Sequence, residues 1–277
     1  MSATNYAFKV GQIACTVLLD GVSLVGRAGI LKRFPDAAEA DYSRAYADLG
    51  LSLDEAVSSF NILVARIGAE TVLVDSGEGG RPHGGHLLKS MRQAGLDPEI
   101  ITRVVLTHSH GDHVLGLLSD EHDPVFPNAT YVISRDEMTF WLSRIDGSAA
   151  DQRPIVAMLE RQGLRLIEMD EPILPGMTAV PLPGHTPGQI GLWIESDGEK
   201  LLHLADMLHN PMQFAHPEWS PTYDVDTRVS VPTRRAALER AADAHLLALF
   251  YHLPFPGLGR VRRAEPGFTW APLALSA

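Results

Sequence analysis

Residues 103–114 read Arg103-Val104-Val105-Leu106-Thr107-His108-Ser109-His110-Gly111-Asp112-His113-Val114. The first five form a short apolar run with the length of a buried strand. Four ligand-type side chains then fall within six positions. In an extended segment, residues two apart point to one side, so His108 and His110 can offer both imidazoles to one ion. Gly111 permits a tight turn. Asp112 and His113 would then lie at a helix start, aimed at a neighbouring position. Neutral imidazole together with carboxylate suits Zn2+, and also Fe or Mn. The chain has twelve histidines, and a lone one carries little meaning. Four ligand types at this spacing are harder to assign to chance.

Outward from this stretch, residues 71–75, 178–182, 200–204 and 246–251 are further apolar runs of strand length. Each is followed by ligand-type residues: Asp75-Ser76-Gly77, Gly184-His185-Thr186-Pro187-Gly188, Ala205-Asp206 and His252-Leu253-Pro254. Residues 13–19, 59–67, 130–134 and 191–195 also read as strands. Helical patterns cover 86–94, ending at Gly95, then 136–142, 152–162 and 233–245, the last with Pro232 just before it. Strands alternating with helices give an α/β protein. If the strands are roughly aligned, their polar ends share one edge, where loops carry function on a rigid base. Residues 34–57 read as a more polar helical insertion: a cap over the site, an oligomer contact or a plain surface helix pair. No Pro/Gly/Ser linker divides the chain, so 1–277 reads as one domain.

Composition narrows the function. The net charge of −11, from 23 basic and 34 acidic residues, makes nucleic acid a poor partner. Hydrophobic content of 45% is enough for a sizeable core. Cys15 is the only cysteine, so no intramolecular disulfide forms. It sits in an apolar run and reads as a buried thiol, which fits a reducing cytoplasm. No signal peptide is visible at the N-terminus, and no apolar run reaches the ~20 residues of a membrane span.

The pattern His-x-His-x-Asp-His at 108–113, followed by Gly-His-Thr-Pro-Gly at 184–188, a later Asp206 and a final His252, resembles the metallo-β-lactamase superfamily. The resemblance runs from about Asn61 to Gly257. It implies an αββα sandwich, with two facing mixed sheets and helices outside. It also implies two divalent ions, most simply Zn2+, with Fe or Mn also suited. His108, His110 and His185 would hold the first, and Asp112, His113 and His252 the second, with Asp206 bridging. Asp75 would orient a ligand from behind. The implied reaction is hydrolysis by a metal-bridging hydroxide, with Asp112 also handling a proton.

Branches of the family separate on what is present. Zinc β-lactamases of the commonest class carry Cys where this chain has Asp206. Flavodiiron oxidoreductases carry Glu at the His110 position, and glyoxalase II adds a C-terminal domain that the short stretch after His252 leaves no room for. The stretches at 205–214, 233–235 and 251–259 look most like methyl parathion hydrolase and its lactonase relatives. The expected substrate is therefore a small lactone, ester or phosphotriester. The alternatives are a mononuclear iron oxidoreductase of the sulfur dioxygenase type, or a β-lactam or thioester hydrolase. Related lactonases often place Tyr three residues after the bridging Asp. Here that residue is His209, a candidate catalytic group. Trp141, Phe214, Trp219 and Phe255 are candidate pocket walls. His83, His86, His122, His203, His216 and His245 read as non-ligands. Similar enzymes commonly form homodimers, with the 34–57 insertion as the candidate contact.

Overall fold

The computed structural model describes residues 3–80 and 84–273. His83 lies outside them. One seven-stranded sheet runs in chain order through β1 (Asn5–Val10), β2 (Ile13–Leu24), β3 (Val57–Ile67), β4 (Glu70–Val74), β5 (Arg103–Val105), β6 (Thr130–Ser134) and β7 (Leu164–Ile167). A second takes β8 (Pro172–Leu174), β9 (Met177–Pro181), β10 (Ile190–Ser196), β11 (Glu199–His203), β12 (Leu247–Leu249), β13 (Leu258–Arg263) and β14 (Phe268–Pro272). The helices are α1 (Gly26–Arg33), α2 (Glu39–Asp48), α3 (Leu87–Gln93), α4 (Gly111–Val114), α5 (Arg135–Arg144), α6 (Arg153–Gln162) and α7 (Thr227–Asp243).

Pairing follows the connections. Strands β4 to β7 run parallel, and helices α3 to α6 make their crossovers. In the second sheet only β11 and β12 are parallel, and α7 joins them. The remaining neighbours are antiparallel; most have short connections, whereas β2 and β3 are joined through α1 and α2.

Period-two patterning builds the layers. Val72 and Val74 face inward, to a core shared with Ala179, Leu192, Leu201 and Leu249 of the second sheet. Leu73 faces outward, to a cluster with Met91, Trp141 and Leu159 of the outer helices. On the far side Leu202, Ala248 and Val261 pack under Leu238 and Ala241 of α7. This is the αββα arrangement expected from the resemblance.

Several boundaries differ from the sequence reading. Strands β1, β7, β8, β13 and β14 lie mostly at sheet margins, half exposed, where apolar runs are weak. Helix α7 begins at Thr227, capped by the Asp226 carboxylate, and contains Pro232. The proline removes only the bond to the carbonyl of Arg228, an exposed residue in the first turn. The insertion is helical from Gly26 onward, ahead of residue 34. Its Ile30, Phe34, Tyr42 and Tyr46 pack on Met212 and Trp219, beside the strand ends that carry the histidines. Cys15 is buried, and burial pushes its thiol up to about 12. Among the described residues no helix is long and apolar enough to cross a membrane.

Candidate metal centre

Both sheets end their inner strands in short loops that converge. From the first sheet, Asp75 follows β4, and His108, His110, Asp112 and His113 follow β5. From the second, His185 follows β9, Asp206 follows β11 and His252 follows β12. The His185 loop is flanked by two glycines that packing requires. A Cβ on Gly184, at φ +123, would stand 2.2 Å from Ser230 N of α7; one on Gly188 would stand 1.9 Å from Glu137 N of α5. Ala205 is held at φ +41, a strained conformation for a non-glycine residue, next to Asp206.

Seven side chains give two groups of four donors. His108, His110, His185 and Asp206 make one; Asp112, His113, Asp206 and His252 make the other, each with its donor atoms within 4.8 Å of one another. In the first, His110 Nδ1 lies 3.1 Å from His108 Nε2 and 2.9 Å from His185 Nε2. Asp206 Oδ2 is 3.5 Å from His185 Nε2 and 3.7 Å from His108 Nε2. In the second, Asp206 Oδ1 is 3.2 Å from His113 Nε2, and Asp206 Oδ2 is 3.0 Å from His252 Nε2. Asp112 Oδ2 is 3.4 Å from His252 Nε2 and 3.8 Å from His113 Nε2.

These residues fit a metal. Tetrahedral bonds of about 2.0–2.1 Å place ligand atoms about 3.3 Å apart, close to the spacings seen. His113 Nε2 and Asp206 Oδ1 are buried without a hydrogen-bond partner, which is costly unless a cation faces them. The outer ring nitrogens are committed elsewhere, which turns the inner lone pairs toward the centre. His108 Nδ1–H donates to Thr107 Oγ1 at 3.1 Å, and His252 Nδ1–H donates to Ser58 Oγ at 3.0 Å.

Buried carboxylates hold the imidazoles from behind. His113 Nδ1–H donates to Asp75 Oδ2 at 2.8 Å, and Thr107 N and Oγ1 also donate to Asp75, each at 2.8 Å. His185 Nδ1–H donates to Asp224 Oδ1 at 2.8 Å. Asp224 Oδ2 accepts from Ser230 Oγ at 2.7 Å and Arg234 Nη2 at 2.8 Å. Glu137 ties the two loops together: it accepts from Ser109 N and Oγ of one and from Thr186 Oγ1 of the other. Asp224 and Glu137 escaped the sequence reading. Ser134-x-x-Glu137 has the form of a capping box. Ser134 does accept from Glu137 N at 3.0 Å, but the carboxylate goes to the site.

Electrostatics divide the cluster. Burial, reinforced by neighbouring imidazoles, holds His108 and His110 well below the usual range. Burial also opposes charge on His113 and His252, but the surrounding carboxylates, Asp206 foremost, outweigh it and hold both high. Asp206 is kept ionised against burial by His252, His113 and His108. His209 Nε2 lies 3.2 Å from Asp206 Oδ2, and burial pushes its pKa down to about 3, so it is neutral. His86, His122, His203, His216 and His245 stand outside both donor groups.

The centre opens into a cavity of about 690 Å³ bordered by His110, Asp112, His185, Asp206, His209 and His252. The four expected aromatic walls are a correction. Trp141 is fully buried in the outer helical core. Phe214 packs on Phe250 and Trp270, and Trp219 on Tyr42. Phe255 joins the core between the sheets. Aromatic character marks burial; it does not say against which surface. The rings that do reach the cavity are Phe60 and Tyr223, neither singled out in the sequence. Tyr223 meets His209 edge-on, ring centres 4.8 Å apart.

Known proteins share this fold. The profile described as the metallo-beta-lactamase superfamily matches residues 56–251. The structure of AidC, a dizinc quorum-quenching lactonase in complex with a product, N-hexanoyl-L-homoserine, superposes with a TM-score of 0.92 over 100% of both chains at 27% identity. The hydrolase AbOPH, of the beta lactamase superfamily, gives 0.90 over 100% of both chains at 26% identity. The N-acyl homoserine lactonase of Bacillus thuringiensis is 24% identical over 111 residues, 40% of each chain. The matched stretches span 40% or less of the length of the first curated relatives.

Proposed function

Because the chain belongs to the metallo-beta-lactamase superfamily, we propose that it is a dinuclear metallohydrolase that opens lactones and related small esters. The observation that carries this reading is the pair of four-donor groups sharing Asp206 at the floor of one cavity. His108, His110 and His185 would hold one ion, Asp112, His113 and His252 the other, with Asp206 between them. Zn2+ suits this nitrogen-rich set best. Such ions, when bound, act as Lewis acids toward a carbonyl and lower the pKa of water. A complete second donor group favours this reading over a mononuclear iron oxidoreductase. The likeness to a dizinc lactonase at 27% identity points the same way.

The chain's own groups have separable tasks. Asp206 is buried and shared, so it fixes the spacing of the two halves. Asp112 is half-buried on the cavity side, its side chain 23% accessible. It is placed to take the proton released by an attacking water. Neutral His209 donates to Asp206 and orients it, a positioning role in place of the catalytic one expected. The Tyr223 phenol borders the cavity and is free to donate to a substrate oxygen.

The test is a substrate panel with zinc-loaded protein: acyl-homoserine and aliphatic lactones, aryl esters, a phosphotriester, a cephalosporin and a glutathione thioester. Two zinc ions per chain and a kcat/KM highest on lactones are expected. One redox-active iron per chain, with oxygen uptake on a thiol and no hydrolysis, would overturn the reading.

A further inference from the structure

The cavity wall is mixed, with more apolar than polar surface. Phe60, Leu115 and the ring of Tyr223 are its large apolar surfaces, and Ser23, Ser58 and Thr222 fill much of the rest.

The same wall carries Lys32 and Arg33, the last turn of α1. Earlier on that helix Arg27 is neutralised by Asp54 at 2.7 Å and Glu39 at 2.8 Å. Lys32 and Arg33 have no carboxylate partner among the described residues. The backbone at the end of α1 is anchored: Thr222 N donates to the Arg33 carbonyl at 2.7 Å, tying it to the loop that bears Tyr223 and Asp224. The Arg33 charge bears on the Tyr223 phenol, working against the burial that raises its pKa. Among the described residues, Glu78 is the one further carboxylate on the wall besides Asp112 and Asp206. With two divalent ions bound, Asp112 and Asp206 offset only half of the metal charge. With those ions bound, the cavity would be locally positive in a chain of net charge −11.

We propose that Lys32 and Arg33 form an anion subsite, and that the substrate is a lactone or ester bearing a carboxylate or phosphate remote from the bond cleaved. This rests on the hydrolase reading above. Matched substrates test it with the zinc-loaded enzyme: one lactone scaffold carrying a side-chain carboxylate, a phosphate or the neutral amide of similar shape. At low ionic strength one of the anionic members should exceed the amide in kcat/KM by about tenfold, and the gap should narrow as salt rises. Which anion leads distinguishes a carboxylate source from a phosphate source. In the Lys32→Gln/Arg33→Gln double variant the anion-to-amide ratio should fall toward one. Reading a ratio cancels any general loss of fold or metal. A ratio near one in the wild type, or a ratio unchanged in the double variant, overturns the subsite. If no scaffold is opened at all, the hydrolase reading fails instead. Calorimetric titration of the carboxylated lactone into wild-type and double-variant protein then still decides the subsite: binding lost with the two charges supports it, and equal binding refutes it.

Discussion

His113 and His185 stand on opposite sides of Asp206, and each hands its Nδ1 proton to a fully buried carboxylate at 2.8 Å. For His113 that carboxylate is Asp75, whose remaining capacity is filled by dipoles, the amide and hydroxyl of Thr107. For His185 it is Asp224, which also faces the guanidinium of Arg234 at 2.8 Å. The geometry is the same, but the charge is shared differently. A carboxylate balanced only by dipoles leaves more of its charge on the imidazole, making the inner nitrogen a better donor to a cation. One shared with a guanidinium leaves less. The halves also differ in origin. Asp75 sits one residue past a core strand of the first sheet, whereas Asp224 hangs on the docking of α7 against the second.

The change with the largest expected effect abolishes the comparison by removing what both halves share. Asp206→Ala should drop bound zinc from two ions to one or fewer per chain, measured by elemental analysis. It should also cut kcat/KM by at least about 10³, since metal stabilisation of the transition state is worth several kcal/mol. Full activity at wild-type occupancy would refute the shared-ligand assignment.

Next in size, Asp75→Asn and Asp224→Asn separate the halves. Loss of an outer-sphere carboxylate typically weakens metal binding by about 10- to 100-fold. Each variant should weaken one of two cobalt-binding steps in a chelator competition, with Asp75→Asn the more damaging. Two variants that weaken both steps equally would mean that the halves are not independently anchored.

The same contrast marks how far sequence carries. His108 to His113 were readable because short-range rules place them: an apolar strand, then ligands at fixed offsets on a tight turn. The part given to Asp75 came from the family resemblance. His185, Asp206 and His252 were readable by their shared position after strands. Asp224 was not, because it lies in the irregular segment between Met207 and α7, where no periodicity applies and its partner is 39 residues away. Before a helix start, an aspartate reads as a cap, and that cap is in fact Asp226. Arg234 stood in a stretch that resembled a known family. Its chemistry became visible only once α7 was docked, since a buried arginine looks like a surface one in a helical pattern. The aromatic residues failed for a related reason: ring size sets burial, while the facing element sets which space the ring fills.

The smallest expected effect comes from a change two bonds removed from the centre. Arg234 is fully buried and uses its planar fork on four acceptors: Met207 O at 2.6 Å, Pro217 O at 2.8 Å, Ser220 Oγ at 3.2 Å and Asp224 Oδ2 at 2.8 Å. Met207 adjoins Asp206, so one guanidinium braces both the His185 carboxylate and the loop of the shared ligand. Arg234→Lys keeps the charge but cannot reproduce the fork. It should lose at least two of these bonds, at about 1 kcal/mol each, and lower the thermal midpoint accordingly. On metal binding it should cost only a few-fold, because Asp224 still accepts from His185 and Ser230. That residual effect should fall on the His185 half alone, and it should nearly vanish in an Asp224→Asn background, where the carboxylate through which Arg234 acts is already gone. A loss that simply adds to that of Asp224→Asn, or one that strikes the Asp75-backed half equally, would show Arg234 to be a packing residue and leave the two halves unequal for some other reason.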